Sequence, residues 1–182
     1  MKKLFFILLV VLSVAACKDQ QNKKAGEKPS AASILGANET EQNIYKSGDS
    51  MLAAFNRKDW LTFVKYNHPA MIKMMGGQQA FASFVSRQMK QLPDTAVKGV
   101  ALGKILQVVK TPHDLQCVVE QNMNIEMEGV DLSRTTYLIG ESLDSGRTWT
   151  FLDATAKSGV APKAIKPDLS DELKIPLAKK GS

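Results

Sequence analysis

The sequence predicts an α+β domain in which N-terminal helices pack on a curved antiparallel sheet of about four strands. Three observations carry this. Apolar residues recur at helical spacing from Glu39 to about Leu92. From Val97 to Ala154 the period changes to two. Clusters of Gly, Asp, Ser and Pro separate the period-two runs, as they do between hairpin strands. Helices first and strands last is the order of an α+β layer fold.

The first helix begins near Glu39, with Ile44, Gly48, Met51, Leu52 and Phe55 on one face. Asn56-Arg57-Lys58 breaks that face, and Asp59 is a good N-cap for a second, short helix carrying Trp60, Leu61, Phe63 and Val64. Asn67-His68-Pro69 interrupts it, because proline disfavours helical backbone at the residue before it. Ala70 to Met75 can form a further turn or two, and Gly76-Gly77 ends it. Gln78 opens another helix with Phe81, Phe84, Val85, Met89 and Leu92 at helical spacing, closed by Pro93-Asp94.

The strands follow. Val97 to Val109 reads as one long strand or two pieces, with Gly99 and Gly103 marking a bend or bulge. After the turn Thr111-Pro112-His113-Asp114, residues Leu115, Cys117, Val119, Met123, Ile125 and Met127 share one parity. Gln116, Glu120, Asn122, Asn124, Glu126 and Glu128 take the other, with Val118 the exception. That alternation predicts a half-buried strand, its polar face turned to water. Gly129-Val130-Asp131 turns the chain into a strand over 135–143, and Asp144-Ser145-Gly146 turns it again into a strand over 147–154. Trp149 and Phe151 share parity and point to one face.

The 182 residues are 44% hydrophobic and 23% charged, with no apolar run of 18 or more, which suits one domain with a core of its own. The net charge of +6 sits in the ends. Residues 39–156 carry twelve basic against thirteen acidic groups, so a basic groove for nucleic acid is not expected. The lysine-rich ends read as solvated tethers, and residues 157–182, with prolines at 162, 167 and 176, as an irregular tail in which 168–173 can form a short helix.

The start of the chain has its own pattern. Lys2-Lys3 precedes an apolar run, Leu4 to Val14, too short to span a bilayer, and Ala15-Ala16-Cys17 follows. This resembles the lipobox of a bacterial lipoprotein signal peptide. The resemblance implies a signal over 1–16, acylation of Cys17 and a lipid bilayer as first partner, two or three acyl chains being needed for firm anchoring. Residues 17–38 then form a flexible tether. Lys18, where some diderm lipoproteins carry an inner-membrane retention aspartate, leans towards the outer membrane. With Cys17 used for lipid, Cys117 cannot form a disulfide within the fold and reads as a buried core thiol.

Ala53-Ala54-Phe55-Asn56-Arg57-Lys58-Asp59-Trp60, Asn67-His68-Pro69 followed by Gly76-Gly77, and the closing hairpin with Trp149-Thr150-Phe151 resemble the nuclear transport factor two-like superfamily, the cystatin-like cone shared with ketosteroid isomerase and scytalone dehydratase. The resemblance covers residues 39–156. It implies a fold that hosts enzymes, binders and assembly domains alike, so function must be argued from the site. Ser142-Leu143-Asp144-Ser145-Gly146-Arg147-Thr148-Trp149 also resembles the Asp-box of sialidases and other β-propellers. One copy in a short chain reads as a stabilised turn.

No phosphate loop, nucleophile elbow or dinucleotide fingerprint is present. His68 is the candidate general base, with Asp59, Glu120, Glu141 and Asp153 available to orient it; the competing reading is a helix cap. His113 and Cys117 lie ~13 Å apart along a strand, so no metal site is expected from them. Met71, Met75, Met123 and Trp149 are candidate lining for a small apolar ligand. The expectation is a membrane-anchored, non-catalytic domain without a cofactor that binds a small apolar ligand or an envelope protein. The alternatives are an isomerase- or dehydratase-like enzyme using His68, and an assembly module that forms a homodimer through the outer sheet face.

Overall fold

A computed structural model describes residues 38–93, 96–127, 129–154 and 161–176. Cys17, the signal and the tether up to residue 37 lie outside the described residues, as do 155–160 and 177–182. No helix among the described residues is long and apolar enough to cross a membrane.

Four helices precede the sheet: α1 (Glu39–Asn56), α2 (Trp60–Lys65), α3 (Pro69–Met74) and α4 (Gln78–Met89). Their ends follow the expected chemistry. Asn38 accepts from the Glu41 N–H at 3.0 Å, and Asp59 accepts from the Thr62 N–H at 3.2 Å. Gly76 and Gly77 take positive φ of 84° and 100°, which lets the chain leave α3 and enter α4 without a Cβ clash. Helix α1 buries Ile44, Gly48, Met51, Leu52 and Ala54. Gly48 is required by proximity: a Cβ there would stand 2.3 Å from Leu102 Cδ1 in the sheet.

The strands form an antiparallel meander in the order β1 (Val97–Lys110), β2 (Leu115–Met127), β3 (Val130–Ser142) and β4 (Thr150–Asp153). The sheet stays open and does not close into a barrel. The expected bend in β1 is present as register shifts against β2 around Gly99 and between Leu102 and Gln107. Two strand boundaries differ from expectation. Strand β3 starts at Val130 instead of 135, because pairing with β2 continues to Met127↔Val130. Strand β4 starts at Thr150 instead of 147, because the Asp144 turn consumes the backbone of residues 147 and 148.

That turn works as a carboxylate cage. Asp144 Oδ1 accepts from Ser142 Oγ and from the Arg147 and Thr148 N–H groups at 2.8, 3.1 and 2.9 Å, while Oδ2 accepts from Thr148 Oγ1 at 2.7 Å. These bonds, led by the Thr148 amide, hold the Asp144 carboxyl down at about 2. Trp149 then donates its indole N–H to Gly146 O at 3.1 Å and lies buried.

Trp149 and Phe151 take the face toward α1, in a core with Ile44, Met51, Leu52, Leu102, Cys117, Val119 and Leu138. The corner between α2 and α3 lies along β4. The Phe151 N–H donates to Tyr66 O at 2.7 Å and the His68 N–H to Phe151 O at 2.8 Å, so Asn67 forms a single parallel bridge with Phe151.

The other face departs most from expectation. It is covered by the chain's own C-terminal segment, residues 161–176, which begins with α5 (Pro162–Ile165). The expected helix over 168–173 is absent, and that stretch is turns and irregular chain. Nor is the segment a solvated tether. Ile165 and Leu169 are buried against Val118, Tyr137, Ile139 and Leu152, with Leu173 and Ile175 partly buried. Val118, the residue that broke the alternation of β2, is thereby fully buried on the outer face.

Candidate functional site

The densest polar arrangement among the described residues lies where this C-terminal strap meets the sheet. Register places Gln116 opposite Glu141 on the outer face. Asp114 reaches the same region from the end of the β1–β2 turn, and His68 from the start of α3. The strap adds Lys166, directly after the buried Ile165. A proline at 167 and the N-terminal proline of α5 confine the helix to one turn, so the Lys166 backbone is already extended.

The Lys166 side chain is 2% exposed, and its ammonium meets three carboxylates. It lies 2.7 Å from Asp114 Oδ2, 3.1 Å from Asp168 Oδ2, and bonds Glu141 Oε1 directly. Desolvation opposes charge on Lys166, but the bonds to Asp114, Glu141 and Asp168 outweigh it and raise its pKa above the ordinary lysine range. Burial likewise opposes ionisation of Asp114. Hydrogen bonds from Lys166, Thr111 and Gln116 overcome that and hold its carboxyl at about 2.

His68 joins the cluster from the other side. Its Nδ1 accepts from the Ala70 N–H at 3.2 Å, capping α3, with Pro69 at the first helical position. The neutral ring therefore carries its proton on Nε2. Nε2 stands 2.8 Å from Glu141 Oε2, a close but bent contact without an aligned hydrogen bond. Of the four carboxylates considered as partners for His68, the fold selects Glu141. His68 thus caps a helix, the competing reading, and also faces an acid.

Oxygens of Asp114, Glu141 and Asp168 all lie within 4.8 Å of one another, a spacing compatible with a metal ion. The Lys166 ammonium stands among all three, so the cation is supplied by the chain. His113 and Cys117 do not join them. His113 is exposed in the β1–β2 turn, and Cys117 is fully buried on the inner face, where burial pushes its thiol up to about 12. Buried in this way, Cys117 packs as a core side chain.

The proposed apolar lining is dispersed. Trp149 and Met123 belong to the core under α1, Met75 packs with Phe81 and Val64 among the helices, and Met71 touches both the helix cluster and the outer-face cluster. Two surface depressions, of ≈600 and ≈360 Å³, lie elsewhere. The first runs between the start of α1 and β1. The second is lined by Phe55, Trp60, Met89 and Val97 with Lys58 and Lys90 at its edge. Neither is lined by His68 or by any of the four residues expected to line a pocket.

Sequence reasoning missed Lys166, Asp114, Gln116 and the strap. The signal that could have found them was Val118, an apolar residue on a strand face otherwise read as wet.

No protein-family model matches the chain, and no curated protein matches it. Among solved structures, the crystal structure of TerC co-crystallised with polyporic acid aligns at 12% identity over 68% of this chain and 98% of that one, with a TM-score of 0.34, a similarity too shallow to carry an assignment.

Proposed function

We propose that the chain is a lipoprotein of the bacterial envelope, held in the outer membrane through acylated Cys17, whose folded part is a non-catalytic binding module of nuclear transport factor two-like architecture for a protein partner or a small apolar ligand. The anchor rests on Lys2-Lys3, the short apolar run and Ala15-Ala16-Cys17. The observation that carries the non-catalytic reading is the engagement of His68. Its Nδ1 lone pair is occupied by the Ala70 N–H, its Nε2 faces Glu141, and the other Glu141 oxygen is bonded to Lys166. A general base needs a free lone pair within reach of a substrate proton.

Two experiments test this. Labelled palmitate should enter the wild-type chain and not Cys17→Ser, and the variant should leave the membrane fraction; labelling that persists in Cys17→Ser removes the anchor. Mass spectrometry of material co-purified with the native protein should find a bound polypeptide or apolar molecule. The His68–Glu141 contact is what favours the enzymatic alternative. That alternative predicts a turnover activity abolished in His68→Gln with the fold intact.

A further inference from the structure

The strap is gripped by two glutamines in the same way. Gln116 of β2 accepts from the Ser170 N–H at 2.9 Å and donates to Asp168 O at 3.2 Å. Gln107 of β1 accepts from the Lys174 N–H at 3.0 Å and donates to Glu172 O at 2.9 Å. Each side-chain amide thus brackets the carbonyl of one strap residue and the N–H of the residue two further on. The second bracket repeats the first four residues along the strap. A primary amide presents the donor and acceptor of a peptide group, so each glutamine acts as a stub of an added strand. Main-chain recognition of this kind is independent of the side chains of the bound segment, and pockets for alternate side chains supply the selectivity.

The selective pockets are also on the sheet. Val118, Tyr137, Ile139 and Leu152 receive Ile165 and Leu169. Between these anchors, Asp114 and Glu141, whose side chains are 1% and 9% exposed, form an acidic socket that a cation must fill. Yet the strap lies on the surface. Over residues 161–176 only Ile165, Lys166 and Leu169 are buried. A surface segment with few buried side chains opens more readily than the strands beneath it.

We propose that the outer sheet face is a peptide-docking groove, that residues 161–176 occupy it in cis as a built-in competitor, and that its partner is a segment in which lysine directly follows one aliphatic residue and precedes another by three, as in Ile165-Lys166-Pro167-Asp168-Leu169. The inference rests on the reading of the chain as a binding module and names the chemistry of its partner.

The test uses the full chain in detergent and a fluorescein-labelled peptide of residues 161–176. The Lys166→Ala/Leu169→Ala chain, its own strap weakened, should bind the peptide at least about tenfold more tightly than wild type does. A peptide with Lys166→Ala should lose about tenfold or more, as expected when one partner of a buried charge pair is removed. No binding to a variant whose circular dichroism matches wild type overturns the groove, as does equal binding of the two peptides. A second measurement needs no variant. In wild type, the Ser170 and Lys174 amides should exchange with solvent by local opening, well before those of β2 and β3. Exchange only with global unfolding means that the strap never leaves, and the proposal fails. Concentration-dependent dimers that the free peptide dissolves would support the groove, with a second copy's strap as occupant. Failure here leaves the tethered binding module to be judged by palmitate labelling and co-purification.

Discussion

On the inner face of the sheet, Trp149, Phe151, Cys117 and Val119 meet α1 in a contact that is mostly apolar packing, with one hydrogen bond from Tyr45 Oη to Gly103 O; on the outer face, Val118, Ile139 and Leu152 meet a strap that carries a lysine into buried acids. The inner contact leaves little room. A Cβ on Gly140 would stand 2.5 Å from Cys117 Sγ and 3.1 Å from Trp149 Cε3. The outer contact is sparse in side chains and rich in directed bonds. Close packing penalises any change of volume, whereas a charge cluster penalises any change of count. One sheet therefore has one face sensitive to methyl groups and another sensitive to protons and charges.

The largest expected effect tests the outer face. Lys166→Ala strands Asp114 and Glu141 without a cation, and removing one partner of a buried ion cluster typically costs about 3–5 kcal/mol. Hydrogen exchange at Ser170 and Lys174 should then approach that of free peptide, while thermal melting reports how much of the loss reaches the whole domain. Adding Asp114→Asn and Glu141→Gln to Lys166→Met should recover most of the stability. If Lys166→Ala melts like wild type, the clasp contributes nothing.

Next comes the inner face. Gly140→Ala should destabilise by about 1–3 kcal/mol through overpacking, measured by denaturant titration. Because the first obstacle is Cys117 Sγ, Cys117→Ala should offset part of that cost in the double variant, and strict additivity of the two would break the packing account.

A pH series separates the faces without mutation. Asp114 is depressed from 3.8 to about 2, so its contribution is present above pH 4 and lost as pH falls toward 2. Lys166 is raised from 10.5, so its contribution is full below that value and lost as pH climbs past it through the higher folded value. Strap protection should fall at both extremes; at the alkaline one Trp149 fluorescence should lag behind it, whereas at the acid one the Asp144 cage before Trp149, also held at about 2, is lost in the same window as Asp114. Coincident loss of the two signals at the alkaline extreme would mean that the faces fail as one.

The smallest effect belongs to the brackets. Gln107→Ala removes two bonds to the strap near its exposed end, worth about 1 kcal/mol. It should speed exchange at Lys174 more than at Ser170.

The two faces also differ in how far they could be read in advance. Helical spacing marked Ile44, Met51 and Leu52, and Asp59, Pro69 and Gly76-Gly77 marked where helices start and stop, because those signals are local. The outer face depends on pairs distant in sequence. Nothing near Lys166 announces Asp114 or Glu141, and a lysine between prolines in a basic tail is ordinarily a solvated residue. Gln116 reads as the wet side of its strand because alternation cannot distinguish water from a strap. His68 was legible as a cap through its own sequence neighbour Pro69, but its choice of Glu141 is set by the corner that lies along β4.

That corner has a further effect on how the sheet meets other molecules. A strand as short as β4 would ordinarily leave a rim of unpaired backbone on which a foreign chain could continue the ladder. Here Tyr66 and His68 already take the Phe151 N–H and carbonyl, so growth on that side meets a stopper built from the helical layer. The opposite rim, β1, is interrupted by register shifts and carries exposed Lys98, Lys104 and Lys110. The sheet is thus guarded differently at its two margins, by a plug on one and by bulges and like charges on the other. Copies of the chain that meet at high concentration are thereby kept from zipping edge to edge.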